Sequence, residues 1–431
     1  MTNKKFYKRL PFWAAMALVL PFAFLSCNPD IEDDDMGPME PEDNVVTISP
    51  GANAETEAQE AFINADSGQV IRFEAGTYEF TNTLSIDNKN DVRIEGAGHD
   101  LTILSFANQI GGGDGVLATN CENLLFKDLT VQDAEGDALK ARECTYITFY
   151  NVGTVWSGEP DSTNGAYGLY PVLCDHVYIE KCYAYGASDA GIYVGQSSQV
   201  IVTDSKAEGN VAGIEIENTQ FADVYNCEAT DNTGGVLIFD LPGLTQYGAN
   251  VRVYDNNIYE NNRTNFAPAG NIVGSVPAGT GVMVLSTTGI EMFGNTIENN
   301  NFGGAAVISY FLIDQEFDPG SIPGFSPYST DIYLHDNTFG PMGMVNPEQP
   351  ETAGLILTIL AGNMLDHPNL LTDGIFAPDQ DADGGLCVQE EGVSFINLDA
   401  GNFFTGLSTD MSAHDCTGST LSEVEFTPYG L

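Results

Sequence analysis

A short motif that returns every 22 or 23 residues limits what this chain can fold into more than any other feature. Six segments align without gaps: Asp137-Ala138-Leu139-Lys140-Ala141, Tyr167-Gly168-Leu169-Tyr170-Pro171, Ala190-Gly191-Ile192-Tyr193-Val194, Ala212-Gly213-Ile214-Glu215-Ile216, Gly234-Gly235-Val236-Leu237-Ile238 and Thr280-Gly281-Val282-Met283-Val284. Gly168 to Gly191 is 23 residues; Gly191 to Gly213 and Gly213 to Gly235 are 22 each. Most segments are followed by a second β-rich run, such as Val200-Ile201-Val202 or Val251-Arg252-Val253-Tyr254, and then by an Asn/Asp/Gly-rich turn. Strands this short alternate inward and outward at period two. Asn, Asp and Gly at the corners supply left-handed or side-chain-bonded turns. A coil of this length with three short strands is the unit of a parallel β-helix, which buries its inward residues only by stacking coil on coil. A propeller blade needs ~40 residues and a leucine-rich repeat needs leucine at fixed spacing, so neither fits. The reading is all-β: a parallel β-helix over residues 45–310.

The cysteines agree with this register. Cys121, Cys144 and Cys174 fall at one position of successive coils, with Ser197 next; Cys182, Ser205 and Cys227 fall at another. Stacked small residues are expected inside a solenoid whose coils lie ~4.8 Å apart, and free cysteine packs as a small hydrophobe. Buried free thiols are expected, a disulfide between adjacent coils being the other reading. Cys387 and Cys416 lie outside the repeats, where an exported protein is able to pair them.

The opening of this region, with helix-prone Glu55–Ile63 before Gly68-Gln69-Val70-Ile71-Arg72-Phe73 and Gly76-Thr77-Tyr78, resembles the pectin-lyase-like superfamily. The helix would cover the first coil and hide its unpaired edge. The resemblance runs from about Val45 to about Tyr310. Over 186–195, 210–218 and 232–243 the chain looks like the right-handed parallel β-helix repeat lipoproteins of marine bacteria, a resemblance that implies the fold and little chemistry. Residues 311–431 break the period and are expected to pack on the solenoid as an irregular C-terminal cap.

The first 26 residues differ from all of this. Lys4, Lys5, Lys8 and Arg9 precede an apolar run from Leu10 to Leu25, which reads as a secretory signal, too short to span a membrane. Phe24-Leu25-Ser26-Cys27 resembles a lipobox, with Phe24 a departure, and implies acylation at Cys27. Residues 27–44 are acidic and Pro-rich, a tether with too little apolar surface to pack; in lipoproteins of the Bacteroidetes type such a run resembles a surface-export signal. The expected location is the outer membrane through a lipid anchor, exposed on the cell surface or on the periplasmic face. Removing the signal leaves ten Lys+Arg against 61 Asp+Glu, a net charge of −51. That surface repels nucleic acid and anionic lipid and disfavours an anionic glycan. A monomer is expected.

Alignment places side chains as well as coils. Lys140, Tyr170, Tyr193, Glu215, Leu237 and Met283 share one outward row; Arg142, Val172, Gly195, Glu217, Phe239 and Leu285 share the next; Gln196, Asn218 and Asp240 stand at the following turn. Aromatic rings beside carboxylates suit a sugar chain, whose apolar faces stack on tyrosine. Tyr170, Tyr193, Gln196, Asn218 and Trp156 are candidate glycan contacts, and Gly195 leaves room near the backbone. The longer segments 156–166 and 263–280 would wall this face. Glu215 and Glu217 would stand about 6–7 Å apart, within the range of an inverting glycosidase pair, with Asp240 able to replace either. Alternatively Lys140 or Arg142 would serve as base in β-elimination or epimerisation of a uronic acid, with Tyr193 assisting. Non-catalytic glycan binding and a structural envelope role use the same face. Separately, residues 379–390 match D-x-D-x-D-G-x5-E, so Asp379, Asp381, Asp383 and Glu390 are candidate Ca²⁺ ligands.

Overall fold

The computed structural model describes residues 44–344, 348–381 and 383–431. Cys27 and nearly all of the 27–44 tether lie outside the described residues. The rest is a mostly-β parallel solenoid of about 13 turns with two helices. One face is an eleven-stranded sheet that includes Leu139–Arg142, Tyr167–Val172, Ala190–Gly195, Ala212–Glu217, Gly234–Phe239 and Thr280–Leu285 in chain order. Every pairing between these strands is parallel. The register follows the sequence alignment: Lys140 pairs Tyr170, Tyr193 pairs Glu215, Glu215 pairs Leu237 and Gly195 pairs Glu217.

Period-two alternation divides the side chains of this face. Ile192, Val194, Ile214, Ile216, Val236 and Ile238 point into the solenoid and join its main core. Tyr193, Leu237, Phe239, Met283 and Leu285 point outward and form a second apolar cluster. The corner after five of these six strands is a single left-handed residue: Glu143, Leu173, Gln196, Asn218 and Ser286 have φ of 57°, 57°, 50°, 47° and 54°. Repeating one strained corner at one position turns successive strands by the same angle and keeps the coils in register.

Polar ladders run up two other corners. Asn210, Asn232, Asn261 and Asn300 stack, each side-chain amide donating to the carboxamide oxygen of the next coil. The stack of Cys182, Ser205 and Cys227 continues into Asn256, Asn295 and Asn337. All these donors and acceptors are paired, so burial costs no unmade hydrogen bonds. Cys121, Cys144, Cys174, Cys182 and Cys227 are buried free thiols.

Helix α1 (Ala54–Asn64) buries Ala58, Ala61 and Phe62 on the first coil, as the end-capping argument requires. The carboxyl-terminal part differs from expectation. Coil strands continue through Thr330–His335, Leu370–Thr372, Leu386–Gln389 and Phe395–Asn397, still parallel. The period breaks because long segments, one carrying helix α2 (Glu351–Gly362), are inserted between strands. Beyond about residue 398 no further coil strand follows among the described residues. The tail then runs back along one outward row of the solenoid. Cys416 is joined to Cys387 by a disulfide, Leu421 donates its N–H to Glu291 (2.8 Å), Val424 donates to Asp223 (3.1 Å), and Phe426 packs edge-on against His176 (5.0 Å). The tail thereby covers the buried Arg252–Asp223 ion pair on this outward row.

Candidate active site

The strand Ala212–Glu217 carries two carboxyls on its outward side, and both are nearly covered: Glu215 is 3% exposed and Glu217 8%. Asp189, at the corner entering the previous strand, is 6% exposed. The three line one cavity of about 230 Å³ together with Tyr167, Phe239, Leu241 and residues 271–273. The inserted segment that includes Asn271, Ile272 and Val273 forms a wall, so the reading of 263–280 as a flank of this face holds.

The contacts of the three acids are unequal. Glu217 Oε1 accepts a hydrogen bond from the Tyr193 hydroxyl (2.8 Å). Asp189 Oδ2 accepts from Asn271 Nδ2 (3.2 Å) and is also held by Tyr167. Glu215 Oε2 is buried with no hydrogen-bond partner. Burial pushes Glu215 well above the usual carboxylate range, and the charges of Asp189 and Glu217 add to the shift. Burial also raises Glu217, against the Tyr193 hydroxyl, which favours its ionised form. Asp189 is pushed up to about 7 by burial first and by Glu217 second. Removing a carboxylate from water without a cation costs several kcal/mol, so the pocket favours holding protons.

Several expected site residues are placed otherwise. Tyr193 is buried, its ring tilted against Tyr167 at 4.5 Å and edge-on to Tyr170 at 4.9 Å. The space above Gly195 is filled by that ring: a Cβ there would lie 2.3 Å from the Tyr193 hydroxyl. The glycine admits a tyrosine rather than a ligand, and lets its hydroxyl reach Glu217. Trp156 is a core residue, 4% exposed, with Nε1 donating to the Ala134 carbonyl (2.7 Å); it cannot offer a face to a sugar. Asn218 and Gln196 anchor the 241–248 loop. Asn218 Nδ2 donates to the Leu241 and Gln246 carbonyls, and Gln196 accepts from Thr245. Asp240 takes two bonds from the Gly248 N–H (2.8 and 2.9 Å) and, although burial pushes it up to about 7, it does not line the cavity. Lys140 is paired with Asp137 (2.9 Å) and lies 4.4 Å over Tyr170; Arg142 is exposed beside Glu143. Neither lines the cavity. The face is therefore a walled pocket around Asp189, Glu215 and Glu217, not an open groove from Lys140 to Asp240.

Asp189 and Tyr167 were not singled out from the sequence, though a signal for Asp189 existed. Register carries it onto the position of Val211 and Thr233, a site of apolar or small side chains in neighbouring coils.

The calcium reading meets a geometric obstacle. Leu386–Gln389 is a solenoid strand paired with Thr330–His335, where a calcium loop of this pattern would lead into a helix. Glu390 is committed to Asn337, whose N–H and side-chain amide both donate to it (2.7 Å for the amide); it ends the asparagine ladder. Asp379 and Asp381 are exposed. Among the described residues only Asp383, Cys387 and Cys416 converge within 4.8 Å, and two of these form the disulfide. The four acids do not converge on one point in this structure. No helix among the described residues is long and apolar enough to cross a membrane.

The family model described as the right-handed β-helix region matches residues 114–261 and 162–313. No curated protein matches the chain. Among solved structures, the A-module of a mannuronan C-5 epimerase from Azotobacter vinelandii is 15% identical over 70% of this chain and 96% of its own, with a TM-score of 0.43. An alginate lyase from Paenibacillus sp. str. FPU-7 is 13% identical over 71% of this chain and 99% of its own, TM-score 0.36. The catalytic unit of a GH87 α-1,3-glucanase from Streptomyces thermodiastaticus strain HF3-3 is 14% identical over 77% of this chain and 51% of its own, TM-score 0.46. The likeness is one of fold: residues 114–313 are similar to a right-handed β-helix region.

Proposed function

We propose that this protein hydrolyses a glycan at the pocket of Asp189, Glu215 and Glu217. The observation that carries the reading is the outward, walled cavity into which two carboxyls project from one strand with different partners, Tyr193 for Glu217 and none for Glu215 Oε2. Glu215, unpartnered and deepest in shift, holds its proton and acts as general acid on the glycosidic oxygen. Glu217, kept more easily ionised by the Tyr193 hydroxyl, takes a proton from water as the water oxygen bonds to the anomeric carbon and the glycosidic C–O bond breaks. Two outward residues on one strand stand about 6–7 Å apart, the separation that leaves room for that water and gives inversion. Environments that push two carboxyls apart in acidity are what an acid and a base require. The closed pocket, in place of a groove, suits a chain end.

Glu215→Gln and Glu217→Gln are the test, with reducing-end release measured across a panel of neutral and amino glycans. Each loses on the order of 10²–10⁴ in turnover, the usual worth of a positioned acid or base. Wild-type turnover in both variants overturns the assignment. If no glycan is turned over by the intact protein but one is bound, the face is a binding module.

The amino-terminal segment supports export and anchoring at Cys27, with the acidic stretch as spacer between lipid and solenoid. Labelled palmitate should enter the protein and fail to enter Cys27→Ser; equal labelling of both removes the anchor.

A further inference from the structure

The charge of the pocket limits the sugar it takes. Among the described residues, none of Asp189, Glu215 and Glu217 is in an ion pair, and the cation nearest on their row, Lys140, is bound by Asp137 three coils away. A uronate would add a negative charge to a low-dielectric cavity that already holds three carboxyls and is lined by no cation. A neutral ring can offer hydroxyl donors to the unpartnered Glu215 Oε2, but no charge to three carboxyls whose cavity is lined by no cation. An ammonium group meets both conditions. It brings three donors and a positive charge, and the aromatic side chains Tyr167 and Phe239 that line the cavity suit a cation beside the carboxylates. A bare divalent ion fits less well. The three carboxyls are not among groups whose oxygens converge within 4.8 Å, and aromatic walls offer such an ion no ligand atoms.

We infer that the pocket selects a sugar carrying a free amino group, with Asp189 as the carboxylate that receives the ammonium. The inference rests on the reading of the pocket as the sugar site. Asp189 is the member apart from the strand that holds the acid–base pair, and Asn271 of the wall and Tyr167 of the preceding coil fix its orientation. Glu215 and Glu217 thus remain free for bond cleavage. Protons held by the pocket leave when the ammonium enters. The groups that face Asp189 and share this titration are Glu215 and Glu217 on the following strand, Tyr193 on its own, Tyr167 and Tyr170 on the preceding one, and Asp137 beyond; the inserted wall contributes the neutral amide of Asn271.

Isothermal titration of the purified protein with glucosamine oligosaccharides, N-acetylglucosamine oligosaccharides, mannuronate oligosaccharides and calcium chloride tests this. Each is run near neutral pH in two buffers of different ionisation enthalpy. Glucosamine oligosaccharides bind on the order of tenfold or more tighter than the acetylated ones, with proton release visible as a buffer-dependent heat. Mannuronate does not bind, and Asp189→Asn brings the two amino-sugar series to similar affinity. Equal affinity of the protein for the free and acetylated series overturns the amine assignment and leaves the sugar site standing. Calcium that binds alone and blocks glucosamine oligosaccharides assigns the pocket to a metal and overturns the inference. Absence of heat with every sugar overturns the inference and the sugar site together. The ligand series alone decides between these, whatever Asp189→Asn does to folding.

Discussion

Asp189→Asn should make the protein less stable in acid and more stable in alkali, and the crossing of the two pH–stability curves is the signature of a buried, proton-holding carboxyl. In the unfolded chain Asp189 loses its proton near the ordinary value of 3.8; in the folded protein it keeps it until about 7. A raised folded-state value means that between these limits the unfolded state binds fewer protons, so stability falls as pH rises through this window and levels off above it. About three units at 1.36 kcal/mol each set a ceiling of roughly 4 kcal/mol on that loss. Asparagine has no charge and escapes it. It gives up part of the bonding to Asn271 and Tyr167, a cost of about 1 kcal/mol at every pH. The variant therefore sits about 1 kcal/mol below the wild type near pH 4 and up to about 3 kcal/mol above it near pH 8. Urea unfolding at several pH values measures this. Trp156, buried in the coil on which Gly186 packs, is a local fluorescence reporter. A difference that stays constant from acid to alkali would show that Asp189 ionises like a solvated carboxylate, and the account of the pocket as a low-dielectric site would fail.

Two other changes probe the scaffold. Gly195→Ala places a methyl 2.3–2.6 Å from the Tyr193 ring, which is wedged against Tyr167 and Tyr170; it should cost about 1–3 kcal/mol and withdraw the hydroxyl from Glu217, raising the pH at which the base limb of activity appears. Unchanged stability and an unchanged pH profile would refute this coupling. Asn261→Ala breaks four ladder bonds, from Asn232 N–H and Nδ2 and to Ala229 and Asn300. It should cost about 3–5 kcal/mol because buried donors are left unmade, read as a fall in urea midpoint; a loss below ~1 kcal/mol would mean that water replaces the amide.

The rows of this solenoid were legible because a strand has two faces and a coil has one length. Once Gly191, Gly213 and Gly235 are aligned, every outward neighbour follows, and Tyr193 meets Glu215 without further assumption. Covering segments have no such rule. The 263–280 insertion has no period, so nothing in it announces that Asn271 reaches Asp189. The same loss of period hid the strands Thr330–His335 and Leu386–Gln389, which are ordinary coils separated by insertions. Trp156 begins a long loop in sequence but closes a core corner in space. At 379–390 an acidic spacing that fits a calcium loop runs through a turn, a strand and the end of an asparagine ladder.

One change along the outward rows explains why the pocket stands where it does. Before Tyr193 the row holds Lys140 and Tyr170, half-exposed and facing solvent. After Glu215 it holds Leu237 and Met283, covered by the insertion, and beyond them Ala306 and Leu371, near α2. An outward row that turns apolar needs a cover, and the cover must begin somewhere. It begins over Glu215 and Glu217, so these two carboxyls, on adjacent outward rows, meet an apolar roof. A carboxyl before this boundary would stay hydrated and ordinary in acidity, and one beyond it would be buried without access. The pocket is the rim of a hydrophobic lid, which is why its acids are displaced in acidity yet still line an accessible cavity.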